Sequence, residues 1–195
     1  MQPLRSVLIA AALATASAIL VTASGPSATP QMGSTPRQIF MQRVDGYVAL
    51  HRRLEANLPR EVITADPHLL FESRIALGRE IRRARSGAHQ GEIFTPAVAK
   101  YFRHLVEKGL RESGIENFLE LVEDENSVAT PPAVNGEYPA GRSLCFMPPR
   151  VLAILPPLPK ELEYQFVGQS LILWDVHAGL IVDFAPGVLR VLTEP

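Results

Sequence analysis

Cysteine is nearly missing from this chain. It occurs once, at Cys145, so no intramolecular disulfide can form. An oxidising compartment is therefore tolerated without being exploited, and stability must come from an apolar core. An excess of charge of one sign is also missing: 19 Lys and Arg face 20 Asp and Glu. That balance excludes a general electrostatic pull toward nucleic acid. Aromatic residues make up 7% of the chain, with one tryptophan. Several catalytic signatures are missing too. There is no G-x-S-x-G elbow, no HExxH, and no pair of histidines at i, i+4. The acidic run Glu120–Glu125 lacks the ligand spacing of a calcium loop and reads as a solvated helix end.

Long apolar runs are scarce, and the one that stands out is at the N-terminus. Arg5 precedes an uncharged run from Val7 to Val21, which closes on Val21-Thr22-Ala23. Basic, apolar, then small is the order of a secretory signal peptide, here residues 1–23. The run holds 15 residues. As a helix it rises ~22 Å, short of the ~30 Å hydrocarbon core, so cleavage is favoured over anchoring. No cysteine follows it, which excludes lipid attachment at a mature N-terminal Cys. A membrane enters only if this segment stays uncleaved. Removing residues 1–23 from 195 leaves 172, one domain's worth. The segment carries only Arg5, so 18 basic then face 20 acidic residues, a net charge of −2.

Residues 24–34 are small, polar and Pro/Gly-containing, a flexible lead-in. Residues 35–125 come next as a helical region. Thr35-Pro36, Asp66-Pro67 and Thr95-Pro96 each set a capping oxygen before a proline at the first helical position. Gln38 completes a capping box with Thr35. The first helix is expected over 36–57, with Phe40, Val44, Tyr47, Val48, His51 and Leu54 on one face. The second is expected over 67–86, with Leu70, Leu77, Ile81 and Ala84 inward and Gly87 as its stop. The third is expected over 96–113, with Val98, Phe102, Leu105, Val106 and Leu110 inward and Gly114 after it. Ile115, Phe118, Leu119 and Val122 suggest a shorter fourth.

Residues 126–160 hold eight of the 17 prolines and form a Pro-rich connector unable to support a long helix or a central strand. From 161 to 195 the period becomes two. Leu162, Tyr164 and Phe166 alternate with polar residues, Gly168-Gln169 turns the chain, and Leu171–Val176 and Leu180–Phe184 make two further strands. The fold class is α+β: a bundle of three to four amphipathic helices, a connector, and a small antiparallel meander packed on the helices. A three-stranded sheet needs such a cover to be stable.

The candidate chemistry centres on Asp175-Val176-His177. Residues two apart on a strand share a face, so Asp175 and His177 can together hold a divalent cation. If Ala178-Gly179 is a two-residue hairpin loop, His177 pairs with Leu180 and Asp183 falls on the other face; only a longer loop unites all three. Asp-x-His also occurs in metallophosphoesterases, whose further metal motifs are absent here. His51 lies on an apolar helical face, the setting of a core histidine; His68, His89 and His104 are scattered. Arg79, Arg82, Arg83 and Arg85 fall in the last turns of the second helix, where positive charge offsets the negative helix end. Cys145 has apolar neighbours and reads as a buried, inert thiol.

The stretch from Leu155 to Phe184, LPPLPKELEYQFVGQSLILWDVHAGLIVDF, resembles the C-terminal segment of a group of uncharacterised bacterial exported proteins. They share its Pro-rich approach, an L-E-Y-x-F-V-G strand and a D-V-H-A-x-L-I-V-D-F strand. The resemblance implies export and carries no activity. Tyr164-x-x-x-Gly168, followed by Leu173-x-Asp175 and Gly179-x-Ile181, is similar to the terminal hairpin of a small periplasmic family linked to nickel and cobalt homeostasis. It assigns no ligands in this chain.

These residues support three functional expectations. The first is a non-enzymatic exported protein, periplasmic or secreted, that binds a partner in the cell envelope and needs no cofactor. The second is a periplasmic divalent-metal-binding protein using Asp175 and His177. The third is a hydrolase whose site is assembled from residues distant in sequence. The export reading is checked by intact-mass measurement of the protein recovered from an expressing bacterium. The N-terminus should lie at about Ser24, whereas an intact Met1 terminus would make the segment an anchor.

Overall fold

Two of the three Thr/Asp-Pro starts can be followed into the structure, a computed structural model that describes residues 33–58, 67–115, 118, 122, 131–138 and 147–189. Helix α1 spans Pro36–Ala56 and opens with the expected capping box. The Thr35 hydroxyl accepts from the Gln38 N–H, and the Gln38 side chain accepts from the Thr35 N–H at 2.8 Å. Helix α2 spans Pro67–Ala84; the Asp66 cap lies outside the described residues. Helix α3 spans Pro96–Ser113 under a Thr95 cap, and Gly114 closes it in the left-handed region at φ 65°. A short helix α4, Pro149–Ile154, stands inside the Pro-rich connector. Proline at its first position makes that start possible, and six residues are within what the connector's prolines allow.

Strands β1 (Leu162–Val167), β2 (Ser170–Asp175) and β3 (Leu180–Ala185) form an antiparallel meander in the order β1-β2-β3. The architecture is α+β, with helices mostly N-terminal and strands C-terminal. The expected signal segment, the expected lead-in up to residue 32, Leu119, most of the acidic run and Cys145 lie outside the described residues, as do the side chains of His68 and Leu70. Among the described residues, no helix is long and apolar enough to cross a membrane.

Helices and sheet share one core. Phe40 and Val44 of α1, Leu77 and Ile81 of α2, Phe102 and Val106 of α3 meet Tyr164, Phe166, Leu171 and Leu173 of the sheet. Phe40, Phe94, Phe102 and Tyr164 cluster there, mostly tilted or edge-on, with ring centroids 4.7–6.3 Å apart. Among the described side chains the expected stripes hold with four exceptions. Leu54, Leu105 and Ile115 are half-buried, and Ala84 is exposed, whereas Gly78, outside the expected stripe, is buried. A Cβ at Gly78 would meet the Ala178 carbonyl at 3.0 Å, so any larger residue there would require the β2–β3 turn to give by a few tenths of an ångström. Gly87 is not in the left-handed conformation; α2 ends three residues earlier. Gly109 plays a similar part in α3, where a Cβ would come within 2.8 Å of the Val151 Cα on α4.

The sheet's other face is covered as well. Val167, Ile172 and Ile181 pack with Tyr138, Trp174 and Phe184 in a second, smaller cluster. The connector contributes to it directly. Residues 135–138 run along β3, with Asn135 N–H on the Ile181 carbonyl, Ile181 N–H on the Gly136 carbonyl and Tyr138 N–H on the Gly179 carbonyl.

Asp183 ties this assembly to the α2–α3 connection. Its carboxylate is fully buried and accepts from the backbone N–H groups of Gly91, Ile93 and Phe94 at 2.7–2.9 Å. Removing it strands buried donors, each costing about 1–3 kcal/mol. Asp183→Ala should therefore lower the unfolding free energy by about 3 kcal/mol in urea titration. A loss under about 0.5 kcal/mol, the range of surface substitutions, would show that water replaces the carboxylate there.

Candidate functional site

The stripe that buries α1 carries two polar side chains at its C-terminal end, Tyr47 and His51. Both turn toward the β2–β3 hairpin. Asp175 Oδ2 accepts from the Tyr47 hydroxyl at 2.6 Å and lies 2.6 Å from His51 Nδ1. Asp175 Oδ1 accepts from the Ala178 N–H at 2.8 Å. Asp175 and His51 are both fully buried. A buried carboxylate with three donors is compensated; one with none is very costly.

The hairpin that holds Asp175 differs from the two-residue loop expected. Asp175 itself pairs with Leu180, and Trp174 pairs with Ile181 across a bulge. The turn is four residues long, 176–179, closed by Gly179 N–H on the Asp175 carbonyl at 2.8 Å. Gly179 sits at φ 69°, and a Cβ there would collide with the Arg74 guanidinium. The Asp175 side chain supplies the second turn bond, which is a common use of Asp in turns. His177 is thereby lifted off the strand and placed beside α1.

His177 Nδ1 lies 3.1 Å from Glu55 Oε1, and its ring centroid is 5.4 Å from that of His51. Glu55 Oε2 lies 3.6 Å from His51 Nε2, beyond hydrogen-bond reach. His51 Nε2 is thus a buried ring nitrogen with no hydrogen-bond partner. His51, Glu55 and His177 offer one ligand atom each, and these three atoms lie within 4.8 Å of one another. A tetrahedral ion with metal–nitrogen bonds of ~2.1 Å wants its donors ~3.4 Å apart, closer than the 4.8 Å within which these atoms lie.

The electrostatics favour positive charge at His51. Burial pushes the His51 pKa down, but the Asp175 hydrogen bond and the charges of Asp175, Glu55 and Glu161 outweigh it, and the pKa is raised. Burial, then the Asp175 charge, drives the Tyr47 phenol far above its usual value, so Tyr47 keeps its proton and donates it to Asp175. With Tyr47 donating to Oδ2, the hydrogen-bond pattern assigns the other proton on that oxygen to His51 Nδ1, and Nε2 faces Glu55 and His177. Arg85 lies over the Tyr47 ring, 5.1 Å from its centroid.

Of the residues singled out from the sequence, His177 joins the cluster, Asp175 stands behind it on the far nitrogen of His51, and Asp183 is elsewhere, bound to the 91–94 backbone. The basic run divides its work. Arg82 pairs with Glu137; Arg85 pairs with Glu92 and the 135 and 182 segments; Arg79 and Arg83 sit beside Glu80. His89 and His104 are exposed. His51 and Glu55 were the residues to find. Their i, i+4 spacing on one helix face was a readable signal. Compared with family models, curated proteins and solved structures, the chain finds no match in any of the three.

Glu161, next to this site, makes two bonds to Arg52 at 2.8 and 3.2 Å. The Arg52 hydrogen bond holds the Glu161 pKa below its ordinary 4.5, against the opposing effect of burial. A lowered carboxyl pKa stabilises the fold above the ordinary value, and that contribution is lost as pH falls through the folded value. Arg52 is 59% exposed, so solvent screens the pair. Arg52→Met should lower unfolding stability slightly at neutral pH and converge on wild type in acid, read from urea titrations across the pH range. A cost that did not change with pH would show that the arginine acts through its stem instead.

Proposed function

We propose that this chain is a divalent transition-metal-binding protein whose ligands are His51, Glu55 and His177. The observation that carries the reading is His51 Nε2, a fully buried ring nitrogen without a hydrogen-bond partner, aimed at a carboxylate and a second imidazole. A buried polar atom left unpaired costs about 1–3 kcal/mol, and a cation at this point would recover it. Asp175 supports the reading from behind. A carboxylate on the second nitrogen of a ligating histidine fixes the ring and makes it a stronger donor. The donor set of two imidazoles and one carboxylate suits Zn²⁺, Ni²⁺, Co²⁺ or Cu²⁺ and not Mg²⁺ or Ca²⁺, which prefer all-oxygen shells.

This reading keeps part of the expectation drawn from Asp175 and His177 and changes the ligand list. Asp175 becomes the residue that positions a ligand. It is also consistent with an exported, non-enzymatic protein that acts by binding, with the ligand now specified as a metal ion. The residues contributed by α1 and by the hairpin lie 126 positions apart for His51 and His177, a separation no local motif displays.

Isothermal titration of the chelator-treated protein with Zn²⁺, Ni²⁺ and Co²⁺ tests the proposal. One ion per chain is expected, with no heat from Mg²⁺ or Ca²⁺. Saturation at ~100 times the dissociation constant should add ~2.7 kcal/mol to unfolding stability. Glu55→Gln and His177→Ala change half-buried side chains and should leave the fold intact while weakening binding more than the ~10–100-fold typical of a supporting residue. Binding unaltered by either substitution would sink the assignment.

A further inference from the structure

If the metal reading holds, the site also specifies how complete its coordination is. Three donors come from the chain: two from one turn of α1, His51 and Glu55, and one from the β2–β3 turn, His177. Among the described residues, the nearby carboxylates that could supply a fourth, Asp175 and Glu161, are already engaged. Asp175 has one oxygen on Tyr47 and His51 and the other on the Ala178 N–H. Glu161 has both oxygens on Arg52. Among the described residues no further histidine, cysteine or carboxylate joins the group. Side-chain exposure differs sharply across the three donors: none at His51, 34% at Glu55 and 36% at His177. The buried donor forms the floor, and the two others border solvent.

Structural zinc sites close their shell with four protein ligands, whereas sites that keep three hold water at the remaining position. We propose that the ion held by His51, Glu55 and His177 keeps one solvent-facing, exchangeable position that accepts a small monodentate donor: water at rest, and an inorganic anion or an imidazole when offered. The inference rests on the metal-binding reading and extends it from holding an ion to presenting one. A metal ion presented in this way lowers the pKa of its bound water toward ~7 and can polarise whatever replaces it.

The experiment uses the full chain loaded with Co²⁺, whose ligand-field absorption reports coordination. Calorimetry first establishes one Co²⁺ per chain; no binding there would overturn the metal reading itself, an outcome separate from any response to added anion. Azide is then added. The expected result is a saturable shift of the Co²⁺ bands, with the Co²⁺-to-protein ratio unchanged on dialysis against azide. Imidazole should produce a second, different shift. Bands that stay unchanged at high azide while Co²⁺ remains bound would overturn the proposal, because the shell would then be closed. A shift that persists in His177→Ala at undiminished Co²⁺ affinity would also overturn it, by placing the responsive ion at another site.

Discussion

The Asp175 carboxylate is the point on which the arrangement depends. It is fully buried, and its compensating donors come from two separate parts of the chain: Tyr47 and His51 on α1, and the Ala178 backbone in its own turn. Those bonds do three things together. They hold α1 against the hairpin, they shape the 176–179 turn, and they orient the His51 ring so that Nε2 faces Glu55 and His177. Removing any one partner leaves the carboxylate less than fully paired in a place water does not reach, which is far costlier than losing a surface hydrogen bond.

The sheet and helices around it are organised to keep that contact close. Gly78 lets α2 approach the Ala178 carbonyl, and Arg74 lies against Gly179 and over the Trp174 ring at 5.9 Å. Asp183 performs a comparable task at the other end of β3, gathering three N–H groups of the α2–α3 connection. The two aspartates look similar in sequence and sit in adjoining strands, yet only one has a histidine behind it. Asp183 meets backbone donors alone and works as a buried cap. Asp175 meets side chains that can exchange protons or bind metal, so its surroundings carry chemistry.

Much of the fold was legible in the sequence because it rests on local signals. Thr35 and Thr95 caps, the period of the α1 and α3 stripes and the alternation of Leu162, Tyr164 and Phe166 each act within one element. The features that escaped were long-range or set by close approach. The four-residue turn depends on Asp175 bonding to Ala178 and on the bulge at Leu173/Trp174, which no composition rule announces. The pairing of residues 135–138 with β3 joins a connector that reads as extended chain to an edge it has no pattern for. At the site, the sequence pointed to Asp175 and His177 but read His51 as a core histidine. It is one, being fully buried, and it is also the nitrogen that gives the cluster its third donor.

The placement of the donors has a consequence for the relation between folding and affinity. Two of them, His51 and Glu55, are fixed as soon as α1 is helical, whereas the third arrives only when the hairpin docks. Under the proposed metal reading, the helix alone is a half-site with a weak grip, and the docked hairpin turns it into a chelate. Affinity at this centre is therefore a gauge of docking. By linkage, a change that loosens the hairpin from α1, even at a residue that touches no ligand atom such as Gly78, would weaken the ion's hold to the extent that it lowers the docked fraction.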